Sequence, residues 1–68
     1  MPIVQVSLVS GRSPEQLRTL IREVTKAVSA AVDAPTDAIR VLVTEVPPTH
    51  WGSGDLTIAE KRAERAAP

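Results

Sequence analysis

Four residues in this chain have types and settings that chemistry can use. They are Pro2, directly after Met1; Arg12, at the first break in the hydrophobic pattern; Arg40, inside an apolar run; and Trp51, the only aromatic side chain. With Met1 removed, Pro2 is a free secondary amine. An ordinary α-amino group titrates near about 7.7–8.0. The pyrrolidine ring makes the nitrogen more basic, and burial or neighbouring cations pull it back down. The result is a base poised near neutral pH. A Met-Pro start followed by a strand is also an ordinary way for a chain to begin, so Pro2 alone decides nothing.

Arg40 is flanked by Ile39, Val41, Leu42 and Val43. A guanidinium there must reach solvent, an acid or a bound anion; Glu45 or Asp37 would serve for a structural ion pair. Arg12 directly precedes a helix start, where an anion is also favoured; the plainer reading is an exposed loop arginine. Trp51, between His50 and Gly52, suits a pocket wall or a plug between subunits equally well. His50 is the only histidine, so a nucleophilic triad would require it, yet no Gly-x-Ser-x-Gly elbow exists. It is expected to be a loop residue without a chemical role. Gly52-Ser53-Gly54 is too short and wrongly placed for a phosphate loop. With no cysteine and one histidine, disulfides, thiolate metal sites and multi-histidine metal sites are excluded.

The elements that must position these residues are simple. Residues 2–9 read as a strand, with Val4, Val6 and Leu8 on one face and Ile3, Gln5, Ser7 and Val9 on the other. Pro2 is tolerable because it opens the strand. Ser13-Pro14-Glu15-Gln16 is a helix start, with Ser13 as N-cap, proline in the first turn and Gln16 closing a capping box. Leu17, Leu20, Ile21, Val24, Ala27, Val28, Ala31 and Val32 then recur at steps of three and four, forming one apolar stripe. The helix is expected to stop at Asp33-Ala34-Pro35, because the residue before proline avoids the α region. Residues 39–46 read as a second strand, apolar on both faces. Residues 47–54 read as a loop, Leu56-Thr57-Ile58 as a short strand, and Thr57-Ile58-Ala59-Glu60 as the capping box of a short last helix. The end at Ala66-Ala67-Pro68 is expected to fray.

The fold class is therefore α+β. It is a single domain, residues 1–68, built as one βαβ unit of parallel strands with the helix on one face and a short C-terminal hairpin or tail. One helix covers one face of such a sheet, so the other face calls for a second subunit. Size argues the same way. A chain of 7.3 kDa buries about 6,400 Å² on folding. If about 60% of that is apolar, it is worth roughly 95 kcal/mol. Ordering the chain costs about 100 kcal/mol. The isolated subunit is marginal, and without disulfides or metals the remaining staple is assembly into a larger sheet-based oligomer. Eight basic side chains balance eight acidic ones, which argues against nucleic-acid or anionic-membrane partners. No uncharged run approaches the ~20 residues a bilayer span needs, and the first residues carry no basic signal-peptide region. A cytoplasmic protein is expected.

Taken together these residues resemble the 4-oxalocrotonate tautomerase family. The resemblance runs from Pro2 to about Gly54. It is carried by Pro2-Ile3-Val4-Gln5-Val6, Gly11-Arg12-Ser13-Pro14-Glu15-Gln16, Leu20-Ile21-Arg22-Glu23-Val24, Asp33-Ala34-Pro35, Ile39-Arg40-Val41, Thr44-Glu45 and His50-Trp51-Gly52-Ser53-Gly54. It implies a βαβ subunit assembled as a homohexamer, a trimer of dimers, with a mixed heterohexamer as a variant. It implies a small unsaturated carboxylic acid such as 2-hydroxymuconate as substrate, and no metal or organic cofactor. Pro2 would be the general base. Arg12 would grip the distal carboxylate, Arg40 the proximal carboxylate and 2-oxygen, and Trp51 would wall the pocket. The arginines would come from neighbouring subunits.

The chain departs from the family at Ser53-Gly54-Asp55, where an apolar residue and Gly-Gly are usual, and at Trp51, where Phe is usual. Pro47-Pro48 stiffens the approach to Trp51. Two other readings stay open: hydratase, dehalogenase or decarboxylase chemistry on a related acid, and a non-catalytic subunit of a mixed hexamer.

Overall fold

The computed structural model describes residues 1–66. β1 (Ile3–Val9) leads through a turn to α1 (Pro14–Val32), then a 3-10 turn at Thr36–Ala38, and then β2 (Arg40–Val46). A second 3-10 turn at Pro48–His50 precedes a small hairpin of β3 (Gly52–Ser53) and β4 (Leu56–Thr57), and α2 (Ile58–Ala66) follows. β1 and β2 pair in parallel, in a register running from Ile3 opposite Arg40 to Val9 opposite Val46. The βαβ reading is correct. The C-terminal part is a true antiparallel hairpin, with Gly52 opposite Thr57 and Ser53 opposite Leu56. The fraying expected of Ala66-Ala67-Pro68 falls at residues 67–68, outside the described residues; α2 runs through Ala66.

Local sequence explains most of these boundaries. The Ser13 hydroxyl accepts from the Gln16 N–H (3.1 Å), and the Gln16 side chain accepts from the Ser13 N–H (3.0 Å). This is the reciprocal capping box that satisfies two helix-end donors. The other end of α1 falls at Asp33-Ala34-Pro35 as expected, and backbone contacts add to the proline in making the stop. Asp33 takes the left-handed conformation (φ 56°, ψ 47°), and the Ala34 N–H reaches back five residues to the Ser29 carbonyl (3.3 Å), as in a Schellman closure. The Ser29 hydroxyl donates to the Ala34 carbonyl at 2.6 Å. Thr57 and Glu60 form a second capping box (2.9 and 3.1 Å) at the head of α2. Gly52 and Ser53, expected in a loop, are β-paired. Gly54 at φ +71° supplies the positive first turn angle that a two-residue hairpin of the II′ kind needs.

The subunit has very little interior. Val4, Val6 and Leu8 of β1 and Val41 and Val43 of β2 are half-buried beneath the α1 stripe of Leu17, Leu20, Ile21, Val24 and Val28. Among the described residues only Ile39 is buried, at 6% exposure. The opposite sheet face, carrying Ile3, Gln5, Ser7, Arg40, Leu42 and Thr44, is open, with Ile3 61% and Leu42 51% exposed. The accessible surface is 5056 Å², about 900 Å² more than a compact monomer of this mass presents. The radius of gyration is 15.7 Å, where a compact chain of this length has about 11 Å. The excess comes from the open sheet face and from the hairpin–α2 arm, which packs on the Pro48–His50 turn and on itself.

Candidate active site

Pro2 sits at the head of β1, half-buried, with Met1 beyond it 84% exposed. Its carbonyl accepts the Arg40 backbone N–H at 3.0 Å. That bond extends the parallel ladder by one rung and fixes the proline beside the first residue of β2. Arg40 and Ile3, which pair in register, share the open sheet face. The Arg40 guanidinium makes no ion pair among the described residues, where the ion pairs are Arg22–Glu23 and Lys26–Glu23. Instead its Nη1 donates to the backbone carbonyls of Asp37 (2.7 Å) and Ile39 (3.3 Å). The structural salt bridge to the Asp37 or Glu45 carboxylate is therefore absent. Glu45 is an odd number of positions along the strand from Arg40 and projects from the other face. The Thr36–Ala38 turn presents the Asp37 carbonyl rather than its carboxylate. Nη1 is thus tethered, while the remaining N–H donors of the guanidinium fork are available to an acid.

Arg12 lies beyond the opposite end of the sheet. It is exposed, and its Nη1 donates to the Val9 carbonyl at 2.8 Å. Gly11 at φ +130° makes the bend between β1 and Arg12. Trp51 also follows that far end, after β2 and the Pro48–His50 turn. It is half-buried, and its carbonyl accepts the Ile58 N–H at 2.9 Å. His50 is exposed, with Nδ1 at 3.0 Å from the Thr49 hydroxyl.

The four expected residues thus divide in two. Pro2 and Arg40 lie at one end of the sheet, joined through their backbones, whereas the resemblance would draw the arginine at each proline from a neighbouring subunit. Arg12 and Trp51 lie beyond the other end, across a seven-residue strand of about 20 Å. One subunit does not bring Arg12 or Trp51 to its own Pro2. Nor do its described residues enclose a pocket. What the subunit offers is a pair of candidate residues at each end: Pro2 and a tethered Arg40 at one, Arg12 and Trp51 at the other. A neighbour that covers the open face can bring unlike ends together. The two guanidinium groups suit carboxylates, and a secondary amine between them suits proton transfer.

One contact has no counterpart in the sequence patterns. Lys61 Nζ donates to Ser53 Oγ at 3.0 Å, eight residues away and across the end of the hairpin. No helical or strand periodicity links those positions.

Comparison with known proteins fits this geometry. The family model described as "Tautomerase enzyme" matches residues 2–61. A 2-hydroxymuconate tautomerase from Stutzerimonas stutzeri is 52% identical over 54 residues, covering 79% of this chain and 86% of the relative. Among solved structures, TomN, described as a 4-oxalocrotonate tautomerase homologue in the tomaymycin biosynthetic pathway, superposes with a TM-score of 0.92. It is 37% identical, with 96% of this chain and 100% of that one covered. A heterohexamer 4-oxalocrotonate tautomerase from Chloroflexus aurantiacus gives a TM-score of 0.85 at 40% identity, covering 88% and 97% of the two chains.

Proposed function

Since this chain belongs to the tautomerase family of isomerases, we propose that it interconverts the enol and keto forms of a small unsaturated 2-hydroxy acid such as 2-hydroxymuconate, with the Pro2 nitrogen as general base. The observation that carries this is the Arg40 N–H to Pro2 carbonyl bond of 3.0 Å, which holds an amine-bearing terminus and an arginine at one strand end.

In this mechanism Met1 is removed first, because a nitrogen acylated by Met1 has no basic lone pair. Pro2 takes the proton of the 2-hydroxyl. The O–H electron pair becomes the 2-oxo bond, the conjugated electrons shift, and the protonated amine returns a proton to a carbon further along the system. Arg40 grips the proximal carboxylate and 2-oxygen, and Arg12 the distal carboxylate, so that charge moving along the system is met at both ends. Trp51 walls the pocket and keeps water from the amine. Because Arg12 and Trp51 lie about 20 Å from Pro2 along the strand, the working unit is an oligomer, which we take to be a hexamer.

The test is ketonisation of 2-hydroxymuconate by protein whose intact mass shows Met1 gone. Pro2→Ala should lose at least about 100-fold in kcat, the usual worth of a positioned base; equal rates would sink the mechanism. A second reading, a partner chain in a mixed assembly, is favoured by the heterohexamer relative. Native mass spectrometry separates the two. A homo-oligomer that turns over supports the first, and activity that requires an added second chain supports the second.

A further inference from the structure

The Ser53-Gly54-Asp55 stretch is unused by the mechanism above, and the structure gives it a partner. Trp51 is extended (φ −104°, ψ 105°) and runs directly into β3, so its side chain and that of Ser53, two residues on, project from the same face. Their Cα atoms are about 6–7 Å apart. The Lys61 ammonium, hydrogen-bonded to Ser53 Oγ at 3.0 Å, therefore stands on the hairpin face that carries the indole. Three local bonds fix it there. The Ile58 N–H donates to the Trp51 carbonyl (2.9 Å), and the reciprocal Thr57–Glu60 bonds set the first turn of α2 just ahead of Lys61. The partner of Lys61 is a hydroxyl, not a carboxylate, so its charge is not neutralised. Among the described residues its other two donors have no partner.

Resting on the reading that Trp51 walls the substrate site, we infer that Lys61, held by Ser53, is a third cationic group at the rim of that site and selects for the charge of the acid. It favours a dianion over a monoanion of equal length. Lys61 is exposed, so its pull is partly screened, modest and salt-dependent. A rim charge of this kind changes affinity several-fold and leaves the chemical step alone.

Trp51 is the sole aromatic residue, so its fluorescence reports binding at this face without turnover. Adipate and hexanoate, a dianion and a monoanion of equal chain length, are titrated into assembled wild type and Lys61→Met at about 20 mM and about 300 mM salt, on either side of effective screening. At low salt Lys61→Met should weaken adipate about three- to fivefold and hexanoate less than about 1.5-fold. The gap should close at high salt, Lys61→Arg should restore it, and Ser53→Ala should give an intermediate loss. Equal weakening of both acids, a salt-independent loss, no change, or no saturable adipate response in wild type each overturns the inference. Failure of the proposed reaction is distinguishable. If wild type does not ketonise 2-hydroxymuconate while its adipate preference still depends on Lys61, the reaction falls and the charge selection stands.

Discussion

Leu42 tests whether the open sheet face is an interface and whether the site depends on it. It lies in the middle of β2 opposite Gln5 and is 51% exposed in the subunit. Burying the remaining half of a leucine is worth about 1 kcal/mol. A carboxylate at the same place, enclosed by a neighbour without a partner, costs about 3 kcal/mol or more per copy. A two-fold interface uses every residue twice. Leu42→Asp should therefore weaken such a contact by about 6 kcal/mol, roughly four decades in dissociation constant, and Leu42→Ala by about 2 kcal/mol, roughly 30-fold. Arg40 is two residues away on the same face and could draw the new carboxylate aside. Leu42→Lys removes that escape and should dissociate the assembly as well. Sedimentation velocity at about micromolar protein reads the association directly, in the range a four-decade loss makes visible. Ketonisation measured across a dilution series reads its consequence, with specific activity falling on dilution for the variants and holding for wild type. If Leu42→Asp assembles like wild type, the open face is not the interface. If it dissociates and keeps full specific activity, the site is not shared between subunits.

Arg40→Ala should raise KM and lower kcat, each by about 10–100-fold, and Lys at this position should recover only part, since the bidentate fork is lost; a loss of stability with unchanged kinetics would make Arg40 structural. Gly11→Ala should cost about 1–2 kcal/mol of stability, because φ +130° strains any residue with a Cβ. Nothing lies within 4 Å of that Cβ, so a melting temperature several degrees lower should come without loss of the fold. The Glu60 carboxylate accepts the Thr57 backbone N–H, and this bond, with the Thr57 side chain beside it, holds the carboxyl below the usual 4.5. Its folded pKa is depressed, so the stabilisation is present above the unfolded value and is lost as pH falls through the folded one. Helicity of α2, followed by circular dichroism, should therefore decline on acidification below about 4.5, and Glu60→Gln should flatten that dependence.

Sequence was a good guide wherever structure is set locally. The Ser13–Gln16 and Thr57–Glu60 boxes each span three residues and formed as their spacing requires. The three-and-four stripe of α1 and the alternation of β1 fixed which faces meet. The misreadings arose where one backbone group competes with another. The helix stop before Pro35 was placed correctly, but its closure by Asp33 in the left-handed region and the Ser29 carbonyl was not foreseen. Charge alone suggested a carboxylate for Arg40, but the 3-10 turn at Thr36–Ala38 puts a carbonyl within reach first. Gly52 and Ser53 have loop composition and are nonetheless paired, because Gly54 makes the turn that brings Leu56 and Thr57 back. Lys61 was invisible because eight residues and two changes of direction separate it from Ser53.

The candidate residues could be named from the sequence, but their division between the two ends of the sheet could not be read there. The reason lies in the parallel register. Ile3 opposite Arg40 fixes Pro2 and Arg40 at one end, and the same ladder carries Arg12 and Trp51 away from them. No change of loop within the subunit can shorten a seven-residue strand. The deficit of interior and the deficit of a complete site therefore have a common source, a two-stranded sheet with one covered face. Arg40, Leu42 and Ile3 lie together on the uncovered one. In the proposed assembly the neighbour that removes that apolar surface from water is also positioned to complete the chemistry. Stability and activity should then respond together to changes on that face, and separately to changes on the polar face of α1.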